Sequence, residues 1–414
     1  MSSWTEVTIG DLGKVVTGST PPSRHPEWFG NLVPFVTPSD MTEGDRRPHP
    51  SRWLSGEGRD RLRKRLVPSG AVAFVSIGAT IGKICLLPEE SVTNQQINTV
   101  VPYEDIDNRF VYYLLKYNVP AIAQAAGGAA TPIINKTTFS SISVMVPEDA
   151  DQVRIGEVLG TFDDLIENNR RRIELLEEMA RTIYHEWFVK FRYPGHEEVP
   201  MVDSELGMIP EGWQVQELSS VARVNDSSRK PNAEELFKYL DISSLAEREI
   251  GDLNEIVGSE APGRARRVVQ AGDIVWATVR PNRRAHALLV DPDANWIAST
   301  GLAVITPTEI SSAYLFEAVS AQTFSDWLVS RATGSAYPAV RAKDFEEALM
   351  LVPETSVEDS FVEVVAPMHK LSWALHQENK TLASMRDLLL PKLVTGQIDV
   401  SSLDLGSMIS EKVN

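Results

Sequence analysis

Two clusters of basic side chains have the residue types that bind an anionic polymer. Each cluster comes just before an apolar run, and the second lies about 202 positions after the first. The members are Arg59, Arg61, Arg63, Lys64 and Arg65 in the first cluster and Arg264, Arg266 and Arg267 in the second. Such clusters predict contacts to the phosphates of a nucleic acid. A charge run can also be only a solvated surface, but recurrence at one place in a divergent repeat favours phosphate contact.

Polar loops follow the basic clusters, and their side chains have the groups that read base edges. Arginine binds guanine through two hydrogen bonds, and asparagine or glutamine binds adenine in the same way. The candidates are Ser76, Thr80, Lys83, Asn94, Gln95 and Gln96 in the first half and Arg280, Asn282, Arg283, Arg284, Tyr337 and Arg341 in the second. For any single amide, a turn-forming role is the alternative. The loops match in position and differ in chemistry, which predicts an asymmetric, bipartite target.

Motifs that would indicate catalysis are incomplete in this sequence. The stretch "GATIGK" (78–83) resembles a phosphate-binding loop, but its spacing is one residue short and Ile84 replaces the Ser or Thr that would hold magnesium. The stretch "HEWFV" (185–189) begins like a zinc-protease helix and lacks the second histidine. The seven histidines have no metal-ligand spacing. We therefore expect no catalytic residue, no metal and no cofactor in this chain.

The composition limits the class of protein. The chain has 414 residues, of which 43% are hydrophobic, enough for two cores. The single cysteine, Cys85, excludes an internal disulfide and fits a reducing cytoplasm. No apolar run is long enough for a bilayer, and the first ten residues do not have the pattern of a signal peptide. The net charge of −17 alone argues against nucleic-acid binding, but net charge does not locate a positive surface.

The chain repeats itself at an offset of 202–210 residues. "RLRKRLVPSGAVAF" (61–74) aligns with "GRARRVVQAGDIVW" (263–276), and "GGAATPIINKTTF" (127–139) aligns with "TGSAYPAVRAKDF" (333–345). A period of this length indicates two whole domains. Two similar domains in one chain mimic a homodimer with a pseudo-two-fold axis, for which double-stranded DNA is a natural partner.

Short apolar runs separated by Pro, Gly and Asn predict β-strands in both halves. A helix is expected near 107–126, broken at Pro120. From about Asp151 the pattern changes to apolar residues at alternating steps of three and four, a coiled-coil seam. A second stretch of this kind follows the second domain. The seam residues are Ile166, Ile173, Leu176 and Ile183 in the first helix and Leu375, Leu382, Met385 and Leu389 in the second.

These patterns together predict an α+β fold. It has two similar mixed α/β domains joined by two long antiparallel helices that form a coiled-coil pair. The alternative is that each helix packs only on its own domain. The expected segments are domain 1 at 1–150, the first long helix at 151–191, a linker at 192–212, domain 2 at 213–355, the second long helix at 356–396 and a tail at 397–414.

Several stretches resemble the specificity subunits of type I restriction-modification enzymes. The segment "GSTPPSRHPEWFGNLVPFVTPSDM" (18–41) is similar to the opening of a target recognition domain in that family. The others are "SIGATIGK" (76–83), "NQQIN" (94–98), "ENNRRRIELLEEMARTIYHEWFV" (167–189) and "LPKLVTGQID" (390–399). The similarity covers essentially the whole chain, although the second domain has "NDSSRKPNAEELFKYLDISSL" (225–245) where the first has its Gly-Ser-Thr-Pro opening.

The resemblance implies that each domain reads one half of a split double-stranded DNA sequence and that the long helices set the non-specific gap. It also implies partners: two modification subunits that use S-adenosylmethionine to methylate adenine, and motor-nuclease subunits that use ATP. A specificity subunit has no catalysis of its own. The alternatives that remain are a non-catalytic scaffold, in which paired helices carry domains that bind proteins, and a solitary enzyme.

Overall fold

The structure, a computed structural model, describes residues 4–42, 44–126 and 132–401. It divides the chain into two compact units, one formed by 1–168 with 379–414 and the other by 169–378. The beginning of the repeat segment at 127–139 and most of the expected tail at 397–414 lie outside the described residues. The boundaries between the units fall inside two long helices, so each unit contains a part of both.

The first unit is built from eleven short strands and four short helices within the described residues. The strands are β1 (Thr5–Thr8), β2 (Gly13–Thr17), β3 (Phe29–Gly30), β4 (Val33–Val36), β5 (Arg52–Leu54), β6 (Leu66–Val67), β7 (Val72–Val75), β8 (Ile84–Leu86), β9 (Ser91–Thr93), β10 (Ile97–Pro102) and β11 (Ser143–Val146). The helices are α1 (Ile9–Leu12), α2 (Gly56–Arg61), α3 (Asn108–Gln124) and α4 (Lys136–Ser140). Most strands coincide with the apolar runs of the sequence, so the strand prediction is confirmed.

Two sheets and one helix layer enclose the core of the first unit. One sheet has the order β2-β10-β7-β8, and the other has the order β3-β5-β4-β9-β6 with a single parallel pair, β4 with β9. Strand β7 is buried on both faces, which explains its continuous apolar sequence. Val72 and Phe74 pack with α3, whereas Ala73 and Val75 pack toward residues such as Val36.

The second unit contains twelve strands and four short helices. The strands are β12 (Met201–Ser204), β13 (Gly207–Pro210), β14 (Gln214–Glu217), β15 (Ala222–Val224), β16 (Leu236–Leu240), β17 (Asn254–Val257), β18 (Ala265–Val268), β19 (Ile274–Ala277), β20 (His286–Leu288), β21 (Trp296–Ser299), β22 (Leu302–Pro307) and β23 (Leu349–Val352). The helices are α6 (Leu218–Val221), α7 (Ser312–Ser320), α8 (Gln322–Arg331) and α9 (Ala342–Glu346).

The second unit repeats the topology of the first. Its sheets have the orders β15-β22-β19-β20 and β17-β16-β21-β18, and the second again contains one parallel pair, β16 with β21. Ile274 and Trp276 of β19 face the α7 side, and Val275 and Ala277 face the other sheet. The alternation therefore matches that of β7, and the predicted pair of similar mixed-sheet domains is confirmed.

The two long helices are α5 (Asp149–Tyr184) and α10 (Thr355–Val394). A π-helical turn at His185–Val189 extends α5, and α10 runs through Pro391. In the first unit, Ile155 and Leu159 of α5 share a core with Leu390 and Leu393 of α10. Further along α5, Asp163 pairs with Arg386 of α10, so residue numbers rise along one helix as they fall along the other, and the two helices run in opposite directions there.

The second unit has its own helix contacts. Ala180 and Tyr184 of α5 pack in one core with Phe361 and Val365 of α10. The predicted pairing of the helices is therefore confirmed within each unit.

Seven of the eight predicted seam residues are buried or half-buried. Ile166, Ile173 and Leu375 are buried, and Leu176, Ile183, Leu382 and Leu389 are half-buried. Met385 is 50% exposed, so its place in the seam was predicted wrongly. The next residue, Arg386, points inward instead, because Asp163 of α5 offers it a buried carboxylate 2.5 Å away.

Two further expectations differ from the structure. Helix α3 continues through Pro120 rather than breaking there, since a buried face that includes Phe110, Leu114 and Ile122 holds it on both sides of the proline. The expected linker at 192–212 is folded: β12 and β13 form a hairpin, and Ile209 is buried in the core of the second unit.

Candidate nucleic-acid interface

The basic cluster of the first unit lies on a short helix and the turn after it. Ser55 begins helix α2 by accepting a hydrogen bond from the Gly58 amide at 3.2 Å, and a 3₁₀ turn at Arg63–Arg65 leads into β6. The side chains of Arg63 and Lys64 are exposed and have no ion-pair or hydrogen-bond partner among the described residues. These two side chains are the members of the cluster best placed for phosphates.

The other members of this cluster are engaged within the protein. Arg59 pairs with Glu90 at 2.8 Å, and Arg61 lies 3.6 Å from Glu57. Arg65 donates to the Thr17 carbonyl oxygen at 3.0 Å. Exposed pairs of this kind are weak and exchange readily, so they restrain these arginines without excluding a phosphate.

The loop between β7 and β8 contains three candidates, and the structure places them differently. Thr80 is exposed at the tip, and Lys83 donates from Nζ to the Pro38 carbonyl oxygen at 3.1 Å. Ser76 is only 1% exposed, and its Oγ accepts a hydrogen bond from Asn98 Nδ2 at 3.0 Å. Ser76 therefore cannot touch DNA, and its assignment as a contact is corrected to an interior role.

The turn between β9 and β10 contains the amide cluster. Asn94 is buried, and its Oδ1 accepts from the Gln96 amide at 2.9 Å while its Nδ2 donates to Gln96 Oε1 at 3.2 Å. Asn94 thus forms the turn and does not face solvent, which corrects its assignment as a base reader. Gln95 is exposed and accepts a hydrogen bond from Thr20.

The second basic cluster lies at the start of β18. Arg264 is exposed, whereas Arg266 and Arg267 are half-buried. Arg266 donates from Nη1 to the Ala265 carbonyl oxygen at 3.0 Å, and burial lowers the pKa of Arg267. A register shift in the β18–β21 pair between Ala265 and Arg267 distorts the strand at this point. Arg264 is therefore the counterpart of the exposed residues Arg63 and Lys64.

The loop between β19 and β20 presents arginines on an unusual backbone. Arg280 and Arg284 both have φ of 55°, in the left-handed region, on either side of a 3₁₀ turn at Pro281–Arg283. Asn282 and Arg283 are exposed at the tip. Arg284 is held at its base by Glu247 at 2.9 Å and by the Ser320 carbonyl oxygen at 2.7 Å. Arg284 thus positions the loop that presents its neighbours.

A second segment joins this loop in the same unit. The Arg280 guanidinium lies 4.6 Å from the ring centroid of Tyr337, and the Arg280 amide donates to the Pro338 carbonyl oxygen at 2.7 Å. Tyr337 is 68% exposed. Arg341 is also exposed, and its amide donates to Asp344 at the start of α9. Two segments far apart in sequence thus form one surface with a planar cation and an exposed aromatic ring.

A ring stack in the first unit was not among the predicted site residues. His25 and Trp28 stack with centroids 4.7 Å apart and planes at 9°, and the Arg61 guanidinium lies 6.0 Å from the Trp28 ring. Arg24 donates to the His25 ring at 3.3 Å. His25 and Trp28 are half-buried, and aromatic and guanidinium planes that keep some exposure can contact nucleic acid. The available signal was a histidine and a tryptophan three positions apart in a proline-rich stretch.

The described residues contain no group of three or more His, Cys, Asp or Glu side chains that could hold a metal ion. Cys85 is buried, which raises the pKa of its thiol. No helix in the described parts of the chain has both the length and the apolar character needed to cross a membrane.

Known proteins share this sequence pattern and fold. Residues 1–178 match the family model of the type I restriction modification DNA specificity domain. The MjaIX specificity subunit of Methanocaldococcus jannaschii is 24% identical over 97% of this chain and 94% of its own length. The EcoR124I/EcoR124II specificity subunit of Escherichia coli is 29% identical over 41% of this chain and 45% of its own.

A solved structure has the same fold. The S subunit of a type I restriction-modification system from M. genitalium matches with a TM-score of 0.62 at 16% identity, covering 95% of this chain and 96% of that one. Residues 1–178 thus carry the type I restriction modification DNA specificity domain, and nearly the whole chain is similar to type I specificity subunits. This family is non-catalytic, and the activities of the system lie in partner subunits.

Proposed function

We propose that this chain reads an asymmetric, bipartite target in double-stranded DNA. Domain 1 (1–150) reads one half-site and domain 2 (213–355) reads the other. The long helices fix the length of the non-specific gap. Two modification subunits and the motor-nuclease subunits dock on the chain, and S-adenosylmethionine and ATP bind to those partners. We expect the complex to work in the cytoplasm.

One observation supports the asymmetric target above all others. Gly78 and Gly82 lie between β7 and β8 with φ of 86° and 98°, and Arg280 and Arg284 take the two equivalent left-handed positions between β19 and β20. Glycine adopts this conformation without strain, whereas other residues pay about 1 kcal/mol or more. Arginine at such positions is a strained choice, and strain retained on a surface loop favours a binding role.

The contacts divide the candidates into three groups. Phosphate contact suits the exposed cations Arg63, Lys64 and Arg264. Base contact suits Thr80 and Gln95 in domain 1. In domain 2 it suits Asn282, Arg283 and the pair formed by Arg280 and Tyr337. Seven further candidates already bind protein groups and would position these readers: Arg59, Arg61, Arg65, Lys83, Gln96, Arg266 and Arg284. Arg267 is half-buried, and Arg341 is exposed and bonded through its backbone amide.

Exposed apolar side chains on the long helices support the docking of partner subunits. Leu175 and Met179 of α5 are 59% and 50% exposed, and Leu388 of α10 is 62% exposed. Apolar side chains left in water on a helix surface favour an interface with another protein.

Mapping methylated adenines tests the proposal most directly. The chain is produced with its modification subunits, and genomic DNA methylated by the complex is sequenced. We expect two different short sequences separated by a constant number of unspecified base pairs. A single continuous site, or a palindrome, would contradict the asymmetric target, and no methylation or DNA binding would favour a protein-binding scaffold.

Domain-specific variants then test the assignment of half-sites. Arg283→Ala should weaken discrimination at one half-site by about 1–3 kcal/mol and leave the other unchanged. The matched control is Lys343→Ala on α9, an exposed cation that pairs with Glu347 at 3.3 Å. Equal weakening at both half-sites would mean that Arg283 contacts only the sugar-phosphate backbone of the DNA.

The phosphate assignment has its own measurement. Replacing Arg63 and Lys64 by alanine should reduce the slope of log affinity against log salt by about 0.9 for each charge removed. Lys343→Ala, which removes an exposed cation that is not among the candidate contacts, is the control and should leave the slope unchanged. An unchanged slope in the double variant would remove Arg63 and Lys64 from the interface.

The role of the helices as a ruler is tested by length. Insertion of one heptad within 166–187, matched by one heptad at the equivalent place in α10, should lengthen the preferred gap. A gap that stays the same would show that the helices do not set it.

A further inference from the structure

Two buried arginines occupy equivalent places in the two units. Arg46 lies between β4 and β5, and Arg248 lies 202 positions later, between β16 and β17. Their side chains are only 4% and 3% exposed. Arginine is almost never buried unless it is paired. Recurrence of such a residue at one topological position, in two halves that have otherwise diverged, requires a shared reason.

In the first unit the arginine joins the sheet to helix α5. Arg46 Nη1 donates to the Gly160 carbonyl oxygen at 3.3 Å, and Nη2 donates to the Asp164 carboxylate. Its own carbonyl oxygen accepts from the Leu86 amide of β8 at 2.7 Å. One residue thus connects the loop between the strands with a face of the long helix.

The neighbouring helix residue, Asp163, extends this contact. Its carboxylate accepts from the Tyr113 hydroxyl of α3 at 2.5 Å and from Arg386 Nη1 of α10 at 2.5 Å. Burial would lower the pKa of Arg46, but its hydrogen bond with Asp164 and the charges of Asp164 and Asp163 raise that pKa above its usual value. The loop between β4 and β5, helix α3 and the long helices α5 and α10 therefore meet around these few polar groups.

In the second unit the same kind of cluster is assembled from different residues. Arg248 donates to both oxygens of Glu317 on α7, at 3.2 and 2.5 Å, and its Nε lies 3.6 Å from Glu177 of α5. Glu317 Oε1 also accepts from His369 Nε2 of α10 at 2.8 Å. Burial would raise the pKa of Glu317, but the charges and hydrogen bonds of Arg248 and His369 lower it to about 2.

The repeat explains how the two clusters correspond. His369 lies 206 positions after Asp163, and Glu317 lies 204 positions after Tyr113. The carboxylate of the cluster therefore lies on the long helix α5 in the first unit and on the short helix α7 in the second. The arginine has kept its place in both.

Energetics favour a geometric role over a purely stabilising one. A buried ion pair contributes little net stability compared with well-packed apolar residues, because desolvation offsets the attraction. A guanidinium that binds a carboxylate at two points does fix angles and distances. An apolar contact of similar size would tolerate sliding.

We propose that Arg46 and Arg248 are positioning residues that hold each DNA-reading domain at one fixed orientation on its own segments of the long helices. This role rests on the proposed function, since orientation matters only if two domains read one duplex across a set gap. Neither arginine touches DNA. Replacing either arginine should leave the affinity for DNA unchanged and weaken the preference for the natural gap length.

The test compares duplexes that carry both mapped half-sites with the natural gap, with one base pair more and with one base pair fewer. The complex of the full chain with its modification subunits is assayed as wild type, Arg46→Lys and Arg248→Lys. Lysine retains the charge and cannot form the two-point contact. We expect the preference for the natural gap to fall about tenfold, with unchanged salt slope and unchanged affinity for random duplex.

Arg47→Lys is the matched control. Arg47 is next to Arg46 and also pairs with α5, at 3.1 Å from Glu167, but its side chain is 46% exposed. An exposed pair of this kind contributes little to geometry. The complex that carries Arg47→Lys should prefer the natural gap as strongly as the wild-type complex does.

A second variant guards against misfolding. Arg248→Met combined with Glu317→Gln removes both charges of the most buried pair, so Glu317 is not left as a buried carboxylate without Arg248; Glu177, which also loses Arg248, keeps 19% side-chain exposure. It should unfold near the wild-type temperature and still lose the gap preference. If this variant or the lysine variants discriminate gaps as the wild type does, the positioning role is overturned. If the wild type itself shows no gap preference, the bipartite reading fails and the positioning role fails with it.

Discussion

The two units attach their long helices by different chemistry. In the first unit a buried ion pair, Asp163 with Arg386, links α5 to α10. In the second unit, Phe361 of α10 packs against the rings of Phe188 and Tyr184, with centroids 5.0 and 6.3 Å away. A direct ion pair between the long helices thus accompanies their apolar contacts in one copy, whereas in the other copy the direct contacts are aromatic and the polar cluster around Arg248 and Glu317 reaches each helix separately. Each attachment can therefore be broken without touching its counterpart.

The largest effect is expected where the aromatic packing is removed. Phe361→Ala should lower the free energy of unfolding by about 4 kcal/mol, because it leaves a cavity in a fully buried cluster. Urea titration of the full chain measures this. Leu371→Ala is the control, since Leu371 lies on the same helix and is 40% exposed. A loss below about 1 kcal/mol for Phe361→Ala would mean that the aromatic cluster does not hold the helices.

The polar attachment of the first unit should respond differently. Arg386→Met should cost about 3 kcal/mol, because it leaves Asp163 buried without its partner cation. Adding Asp163→Asn should recover most of this loss, whereas no second substitution of a polar group can rescue Phe361→Ala. If the double variant is as unstable as the single one, unpaired charge is not the cause.

The sequence predicted the repeated framework well because local patterns determine it. The apolar runs at Val72–Val75 and Ile274–Ala277 form buried strands, and Ile166 and Ile173, placed by the steps of three and four, are buried on the long helix. Residue type alone could not tell which polar side chains turn inward. Whether such a side chain is exposed depends on partners that are distant in sequence.

The errors in the candidate site have this origin. Ser76 and Asn94 have the chemistry of base readers, but hydrogen bonds within the first unit hold both inside. Arg386 is buried, and Met385 exposed, only because Asp163 lies opposite, 223 positions earlier in the chain. Arg280 and Tyr337 were chosen individually, and no sequence pattern indicated that they would stack.

A third difference between the units lies at the center of the equivalent hairpins. Phe74 pairs with Ile84 across β7 and β8, whereas Trp276 pairs with His286 across β19 and β20. The rings of Trp276 and His286 stack with centroids 4.2 Å apart, and His286 is fully buried. Burial lowers the pKa of His286 to about 3, and the nearby Arg248 and Arg284 charges add to this. The second unit thus has a titratable group where the first has an apolar one.

This histidine makes stability depend on pH. Below the pKa of an unfolded histidine, about 6.5, the unfolded chain binds a proton that the folded chain excludes. His286 should therefore reduce stability by about 1.4 kcal/mol for each pH unit between about 6.5 and 3, and have no such effect above that range. The direction follows from the lowered pKa, since the neutral form is the one that fits the fold.

The measurement compares unfolding free energies at about pH 7 and about pH 5. His286→Gln should flatten the decline relative to the wild type, whatever its effect at neutral pH. Ile84→Val at the equivalent position of the first unit is the control and should shift stability equally at both values. An identical decline in wild type and His286→Gln would show that the buried ring does not control the pH response.

The smallest expected effect on stability is a gain, whereas the Phe361 and Arg386 variants above lose stability. Arg280 takes a left-handed conformation with φ of 55° at the position where the first unit has Gly78. Arg280→Gly should raise the free energy of unfolding by about 1 kcal/mol, because glycine adopts this backbone without strain.

The same change removes the guanidinium that lies over Tyr337, so discrimination at one half-site should fall. Arg283→Gly, within the adjoining turn, is the control and should lose binding without gaining stability. A gain in stability with loss of recognition would identify Arg280 as a reader kept at a structural cost, whereas unchanged recognition would assign that residue to the turn alone.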